Sequence, residues 1–287
     1  MTSSGATLIS SEAQPTALIY DIQRYSLNDG AGIRSLVFFK GCPLRCPWCA
    51  NPESRALAAI EVRRESRCLH CPRCAEDEAE CPSGAWQRLG RRYSLDALLA
   101  RLLRDELFYR VSGGGVTLSG GEVLLQAPFA AALLRRLRAQ GVRTAIETSG
   151  HGRPEALLEL GRLCDEVLYD FKIMDAERAR RVIGIDLGRA LDGFRRLSEA
   201  GVHLIPRLPL IPGHSDDLDN LRQVLDFLRP FGLGEIHLLP FHQYGASKYE
   251  LIGMAYSMRD VPGLARDAIA DHVRLCEDAG YRVVVGG

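Results

Sequence analysis

Residues 41–54 read GCPLRCPWCANPES and hold three cysteines, Cys42, Cys46 and Cys49, with three and then two residues between them. Thiolates are soft ligands that suit zinc or iron–sulfur clusters, and such sites usually take four protein ligands. Three thiolates on a four-iron cluster leave one iron free to hold a small molecule. The alternative is a zinc site that a distant histidine completes. The spacing therefore indicates a metal centre, and the cluster would have a position open to chemistry.

Strand-like and helix-like segments alternate around this motif. Short apolar runs rich in β-branched residues predict strands at 16–22, 35–41, 115–120, 142–149, 166–172, 202–210, 235–241 and 281–287. Apolar residues at helical spacing predict helices between many of them, at 94–107, 127–140, 189–200 and 218–229. Strands that alternate with helices form βαβ units around a parallel sheet. Six or so repeats predict an α/β fold with a barrel or partial barrel.

Polar and glycine motifs come at the ends of the predicted strands, where active sites of such barrels lie. The cysteine motif follows the first barrel strand. The later strands lead to Ser119–Glu122, Glu147–Gly150, Asp170–Lys172, Arg207 and His242. We therefore expect six strands to deliver functional groups to one rim.

A second group of cysteines interrupts the alternation of strands and helices. Its members are Cys68, Cys71, Cys74 and Cys81. Two-residue gaps followed by a Cys-Pro pair are typical of ferredoxins, although the last gap has six residues where bacterial ferredoxins have three. Zinc remains the alternative. We predict a small metal module inserted at 55–92, within a main domain at 16–287 that follows a flexible leader at 1–15.

Composition argues against several classes of protein. Lys+Arg and Asp+Glu number 36 each, a balance that favours neither nucleic acid nor a membrane surface as partner. No apolar run approaches the roughly 20 residues of a membrane span, and the first residues lack the regions of a signal peptide. Clustered cysteines in such a chain indicate metal binding or catalysis rather than disulfides. We expect a cytoplasmic protein.

The motifs, taken in order, resemble those of the radical S-adenosylmethionine (SAM) superfamily. The cysteine spacing is typical of that superfamily, and the longer segment IQRYSLNDGAGIRSLVFFKGCPLRCPWCANPES at 22–54 resembles the glycyl-radical-enzyme activating enzymes, of which the pyruvate formate-lyase activating enzyme is the type. The similarity continues through FYRVSGGGVTLSGGE (108–122), DFK (170–172), RLPLIPG (207–213) and LLPFHQYGASKY (238–249). It extends over almost the whole chain after about residue 16.

The resemblance implies a fold and a reaction. The fold is a partial (β/α)6 barrel of the TIM type with a short ferredoxin-like insert. A [4Fe–4S] cluster on Cys42, Cys46 and Cys49 would bind SAM, and a flavodoxin or ferredoxin would supply the electron that cleaves it to methionine and a 5′-deoxyadenosyl radical. That radical would take a glycine Cα hydrogen from a partner, a glycyl radical enzyme. The activating enzyme itself is expected to be a monomer.

The resemblance also implies which residues serve the cofactors. Beside the adenosine we expect Trp48, Cys49 and Ala50, with His242 by the adenine or ribose. Near the methionine we expect Gly120, Gly121 and Glu122 by the amino group, with Glu147 and Thr148 close by. The fourth strand end would contribute Asp170, Phe171 and Lys172, and Arg207 would lie at the carboxylate or the incoming peptide. Cys68, Cys71, Cys74 and Cys81 are expected to hold a second [4Fe–4S] cluster. The competing hypotheses are a radical SAM enzyme for a small molecule and an electron carrier with two clusters.

Overall fold

The structure is a computed structural model that describes residues 15–286, so the predicted leader at 1–15 lies almost wholly outside the described residues. In chain order its strands are β1 (Thr16–Ser26), β2 (Arg34–Phe39), β3 (Ile60–Arg63), β4 (Trp86–Leu89), β5 (Arg91–Ser94), β6 (Gly115–Gly120), β7 (Arg143–Thr148), β8 (Glu166–Asp170), β9 (Leu204–Leu210), β10 (Glu235–Pro240) and β11 (Arg282–Val285).

One open sheet contains nine of these strands, in the order β11-β10-β9-β8-β7-β6-β2-β1-β5. Neighbours from β2 to β11 along this order are parallel, whereas β1 is antiparallel to both β2 and β5. The two remaining strands, β3 and β4, form a separate antiparallel pair. The predicted α/β fold with a parallel sheet is confirmed, and each of the eight predicted strands overlaps a strand of the large sheet.

The helices are α1 (Leu95–Leu102), α2 (Glu106–Ser112), α3 (Ala127–Ala139), α4 (Pro154–Leu163), α5 (Ala176–Val182), α6 (Leu187–Glu199), α7 (Leu218–Leu228), α8 (Ala246–Leu251) and α9 (Ala270–Asp278). Aspartate caps begin several of them; the Asp186 side chain, for example, accepts from the Arg189 N–H at the start of α6. The apolar face of that helix, with Phe194 and Leu197, is buried in the main core. Within residues 15–286 no helix is long and apolar enough to cross a membrane.

The predicted helix at 94–107 is broken in the structure. α1 ends at Leu102, and a 3-10 turn at Leu103–Asp105 separates it from α2. Asp105, only 2% exposed, accepts from Arg24 Nε at 2.8 Å and from Ser35 Oγ at 3.0 Å. A carboxylate that is drawn into the interior needs such partners, and the break in the helix lies where this residue turns inward.

The segment DGAGIR, at 29–34, lies at the N-terminal end of the parallel strands. Arg34 is fully buried there, and its guanidinium donates to Thr117 Oγ1 at 2.7 Å and lies 3.3 Å from Glu166. Thr117 Oγ1 in turn donates to the Asp29 carbonyl at 2.7 Å. A Cβ on Gly32 would lie 2.4 Å from the Gly114 nitrogen, so only glycine fits. This segment therefore closes the end of the sheet opposite the carboxyl ends of the strands.

The region predicted as an inserted module, 55–92, contains the β3/β4 pair. Its last two residues already belong to β5, which pairs with β1 at the edge of the large sheet. The second group of cysteines lies between β3 and β4. The chain thus leaves the sheet after the first cysteine motif and returns to it as an edge strand.

Candidate functional site

A cavity of about 270 Å³ lies at the carboxyl ends of the parallel strands. It is lined by every residue expected at the first metal centre and its cofactor except Phe171, namely Cys42, Cys46, Trp48, Cys49, Ala50, Gly120, Gly121, Glu122, Glu147, Thr148, Asp170, Lys172, Arg207 and His242. Residues far apart in sequence meet here because parallel strands end on the same rim.

Phe171 is an exception to the expected site. Its ring packs against those of Phe194 and Phe227, with centroid distances of 5.2 and 5.7 Å, and the residue is 3% exposed. Successive side chains of an extended chain point to opposite faces, so Asp170 and Lys172 reach the cavity while Phe171 points into the helix layer. The Phe171 side chain therefore does not line this cavity.

The loop that carries the first three cysteines is closed by its own backbone. Gly41 N–H donates to the Ser54 carbonyl at 2.6 Å, and Cys42 N–H donates to the Arg55 carbonyl at 3.1 Å. The buried Lys40 ammonium donates to the Glu53 carbonyl at 2.8 Å. These bonds hold the two ends of the loop together and turn its thiols towards the cavity.

The three thiols fit a metal group larger than a single zinc ion. Burial raises the pKa of Cys42 to about 12 and that of Cys46 to about 11, so a bound metal would have to displace their protons. Tetrahedral zinc, with bonds of about 2.3 Å, would hold sulfurs about 3.8 Å apart. In the chain between residues 15 and 286, only Glu65, Cys68 and His70 form a trio of candidate ligands within 4.8 Å of one another. At least one pair among the sulfurs of Cys42, Cys46 and Cys49 is therefore more than 4.8 Å apart, which is wider than one zinc ion would hold them.

The Ser-Gly-Gly-Glu turn at 119–122 is bonded directly to the cysteine loop. Gly121 N–H donates to the Phe39 carbonyl at 2.9 Å, and Glu122 N–H donates to the Gly41 carbonyl at 2.8 Å. A Cβ on Gly121 would lie 2.1 Å from that same Gly41 oxygen. The close approach of the two loops therefore depends on the absence of a side chain at position 121.

Glu122 anchors the end of β7. The residue is 2% exposed, and its carboxylate accepts from Thr148 Oγ1 at 2.7 Å and from Ser149 N–H and Oγ at 3.0 and 2.7 Å. Burial raises the pKa of Glu122, and these donors oppose that effect. The carboxylate was expected by a cofactor amino group; the structure shows it at the cavity wall with both oxygens already bonded. Ser149, to which no role was assigned, is one of its partners.

Four charged groups face the cavity from β7, β8 and β9; Arg207 is buried, and Glu147, Asp170 and Lys172 are partly buried. Arg207 donates to Glu147 Oε1 at 2.7 Å and to Asp170 Oδ1 at 2.8 Å, and Lys172 donates to Asp170 Oδ2 at 3.3 Å. Ser119 Oγ donates to the other oxygen of Glu147. Two cations and two carboxylates on one wall can bind a ligand that carries both an ammonium and a carboxylate.

The pKa shifts of the two carboxyls in this group differ. Burial raises the pKa of Glu147, and Arg207 offsets this only in part. Burial also acts to raise the pKa of Asp170, but Arg207 and Lys172 together outweigh it and hold that pKa below its ordinary value. Asp170 is therefore the carboxylate that the two cations keep ionised.

A second part of the cavity wall is apolar and partly aromatic. It includes Leu44, Ile211 and Phe241 beside Trp48, and the Trp48 ring lies 5.0 Å from that of His214. Farther along the rim, the ring of His242 stacks on that of Tyr244, and the centroids are 4.2 Å apart. Burial lowers the pKa of His242, which favours the neutral ring. Such a wall suits a flat heterocycle.

Asn51 also lines the cavity, although no role was assigned to it from the sequence. The Lys248 ammonium donates to Asn51 Oδ1 at 2.6 Å and lies 3.1 Å from Glu53 Oε1, which ties the turn after the cysteine loop to α8. Both segments, NPES and ASKY, belong to the motifs quoted above. The two contacting residues are 197 positions apart in sequence, so neither motif alone predicts the contact.

The second group of cysteines lies away from this cavity, on the loop between β3 and β4. Cys74 is exposed, and Cys68, Cys71 and Cys81 are partly buried. Hydrogen bonds from the Trp86 N–H and from Ser83 lower the pKa of Cys81 to about 7. The predicted ligands of the second metal group are thus kept apart from those of the first.

Comparisons with known proteins show the family to which the chain belongs. The family model described as the Radical SAM superfamily matches residues 36–228. The chain is 54% identical to the pyruvate formate-lyase 2-activating enzyme of Escherichia coli K12 over an alignment of 292 positions, which includes 100% of both chains. It is 36% identical to the choline trimethylamine-lyase activating enzyme of Oleidesulfovibrio alaskensis, with 91% of this chain and 94% of the relative aligned.

Solved structures show a similar fold. A domain of a pyruvate-formate lyase-activating enzyme from Bacteroides vulgatus is 29% identical and superposes with a TM-score of 0.50, over 61% of this chain and 100% of that domain. A radical SAM methyltransferase from Sphaerobacter thermophilus superposes with a TM-score of 0.56 over 88% of this chain and 66% of that one, at 14% identity. At that identity the likeness concerns the fold alone.

Proposed function

Because the chain belongs to the radical SAM superfamily, and within it to the glycyl-radical-enzyme activating enzymes, we propose that its partner is a glycyl radical enzyme of the pyruvate formate-lyase type. Membership confirms the family and the enzyme class that the motifs predicted. The choice of partner is supported by the 54% identity, over the full length, to a pyruvate formate-lyase 2-activating enzyme. Relatives named for choline trimethylamine-lyase and trans-4-hydroxy-L-proline dehydratase are 36% and 32% identical.

The superfamily uses a [4Fe–4S] cluster and SAM, and we assign Cys42, Cys46 and Cys49 as the cluster ligands. Bound together, these cofactors supply the one-electron cleavage of SAM to methionine and a 5′-deoxyadenosyl radical, which can take a hydrogen atom from a glycine Cα. The assignment is supported by the three thiols on a single loop, all of which line the same cavity. The protein supplies thiolates, orientation and a site from which water is excluded.

The two walls of the cavity match the two ends of SAM. Arg207, Lys172, Glu147 and Asp170 offer partners of both signs to the amino-acid end. The apolar wall with Trp48, together with His242 at the rim, suits the adenosine. These residues would fix a bound ligand at both ends, and such positioning contributes much of the rate of an enzyme reaction.

For the second group of cysteines we propose another [4Fe–4S] cluster, and for the enzyme a flavodoxin or ferredoxin as electron donor. The ferredoxin-like spacing of the four cysteines supports the cluster. The trio Glu65, Cys68 and His70 favours zinc as the alternative. Metal analysis of the purified protein decides between them. We further propose a cytoplasmic monomer.

The test of function uses anaerobically reconstituted protein, dithionite, SAM and a pyruvate formate-lyase-type enzyme. We expect a glycyl radical in the EPR spectrum of the partner, and 5′-deoxyadenosine in step with it. The control partner has its radical-forming glycine replaced by alanine and should give no radical. A radical on a choline-lyase-type enzyme and none on the pyruvate formate-lyase type would contradict the proposed partner while leaving the family intact. Turnover of a small molecule without any protein would favour the competing hypothesis.

The Gly121→Ala variant is expected to bind less iron and to cleave SAM about a hundredfold more slowly. The new methyl group would lie 2.1 Å from the Gly41 oxygen and would push the cysteine loop away from the turn at 119–122. Iron content and 5′-deoxyadenosine formation measure the effect. The matched control is Gly234→Ala, because no heavy atom lies within 4 Å of a Cβ at Gly234. Equal activity of the two variants would refute this account of Gly121.

A further inference from the structure

Trp86 contacts two of the four cysteines in the second group. Its indole Nε1–H donates to Cys74 Sγ at 3.3 Å, and its backbone N–H donates to Cys81 Sγ at 3.5 Å. Trp86 lies outside the segment between the first and last of these cysteines, at the first position of β4. A single residue thus supplies one side-chain and one backbone donor to the sulfurs of a predicted metal group.

The position of this indole is set by strand pairing. Trp86 is paired with Arg63 in the β3/β4 sheet, and Arg64 N–H donates to the Ala85 carbonyl at 2.8 Å just beyond the pair. Other polar contacts to the sulfurs come from the loop between β3 and β4: His70 N–H donates to Cys68 Sγ at 3.4 Å, and Ser83 Oγ and Cys81 Sγ share a hydrogen bond of 3.6 Å. The indole is therefore a donor held by a regular element next to the most exposed thiol of the group.

We propose that Trp86 is a positioning residue that raises the reduction potential of the second cluster through its hydrogen bond to Cys74. This inference rests on the proposed [4Fe–4S] cluster at Cys68, Cys71, Cys74 and Cys81. When such a cluster accepts one electron from a donor such as dithionite, no bond is made or broken and the cluster becomes more negative by one charge. Hydrogen bonds to the ligand sulfurs stabilise that added charge, and they are one of the main controls on cluster potential.

The consequence concerns the supply of electrons. A higher potential makes the second cluster easier to reduce, so a modest biological reductant can keep more of it in the reduced form. Removal of the N–H should lower the potential without removing a ligand. The backbone donor from residue 86 to Cys81 stays in place whatever the side chain, so the effect of the indole can be measured by itself.

The test compares wild type with Trp86→Phe, which keeps an aromatic ring but loses the N–H. Full-length protein is reconstituted anaerobically, its iron and zinc are counted, and the second cluster is titrated by EPR at controlled potentials; a Cys46→Ala background assigns the signal. We expect Trp86→Phe to keep the full iron content. At a fixed potential near the wild-type midpoint, its ratio of reduced to oxidised second cluster should be about fivefold lower than that of the wild type. The matched control is Gln87→Leu, which removes hydrogen bonds to Arg64 and Gly84 but no donor to sulfur.

A second substitution distinguishes a lower potential from loss of the second cluster caused by the change in side-chain shape. Benzothienylalanine at position 86 has the shape of tryptophan with sulfur in place of the N–H, and it should lower the potential as Trp86→Phe does. If the variant with benzothienylalanine keeps the wild-type potential and iron content, the role proposed for Trp86 is wrong, whereas the proposed second cluster is unaffected. Zinc in place of iron at these cysteines in the wild type would overturn the second cluster, and the role of Trp86 with it.

Discussion

The Cys46→Ala variant is expected to form no 5′-deoxyadenosine above background. Cys46 is the central thiol of the first motif, is almost fully buried, and lines the cavity with Cys42 and Cys49. With only two thiolates left, this loop cannot hold a four-iron cluster that keeps one iron open to SAM. The measurement is product formation with dithionite and SAM, together with iron content, which should fall to the share of the second group.

Cys164→Ala is the control for this loss. Cys164 lies at the end of α4, outside both groups of cysteines, and its thiol donates to the Gly161 carbonyl at 3.6 Å. This variant should keep the iron and the activity of the wild type. Nucleoside formation by Cys46→Ala at the wild-type rate would rule out the assignment of the three cysteines as cluster ligands.

The Arg207→Met variant is expected to lower the free energy of unfolding by about 3 kcal/mol, because it leaves two partly buried carboxylates without their main cation. Arg207 is 6% exposed and donates to both Glu147 and Asp170. Urea unfolding of the metal-free protein measures the change. Arg222→Met is the matched control: Arg222 pairs with Asp219 at the surface, where such pairs contribute roughly 0–1 kcal/mol. Similar losses in the two variants would contradict the buried network.

The effect of Arg207→Met should also depend on pH. The pKa of Asp170 in the folded protein lies below its ordinary value, so its ion pairs stabilise the fold fully above the unfolded pKa and less as pH falls through the folded pKa. Once the Asp170 carboxyl is protonated, the loss of the Arg207 guanidinium lowers the free energy of unfolding by a smaller amount. The difference in stability between wild type and variant should therefore shrink as the solution is acidified, and a constant difference would argue against the pairing with Asp170.

Much of the fold could be predicted because its strands are apolar and regularly spaced. β6 was predicted with its observed bounds, and the motifs at the strand ends were expected to meet because parallel strands share a rim. The short strands β3, β4 and β5 escaped prediction, since segments such as RRYS at 91–94 have no apolar alternation and pair with distant strands. The break at Asp105 depends on Arg24, 81 residues earlier, and no local pattern reveals it.

In the candidate site, too, some features follow from the local sequence and others depend on distant residues. Asp170 and Lys172 were placed by strand alternation, and that rule, applied strictly, also excludes the side chain of Phe171. The bonds of Glu122 to Thr148 and Ser149 depend on two loops whose distance in space the sequence does not encode locally. Residue types and spacing thus predicted which residues line the cavity. The hydrogen bonds between those residues can be identified only from the tertiary structure.

The return of the second cysteine region to the large sheet as β5 limits how this architecture can vary. β5 covers one side of β1, whose other side pairs with β2. Excision of 55–92 would remove the first part of β5 and bare a long strand edge, and uncovered edges of that kind recruit other chains and aggregate. The region that carries the second group of cysteines is therefore not separable from the large sheet. A shortened relative would need a substitute strand to remain soluble, so loss of the four cysteines by point mutation is an easier evolutionary route than loss of the segment.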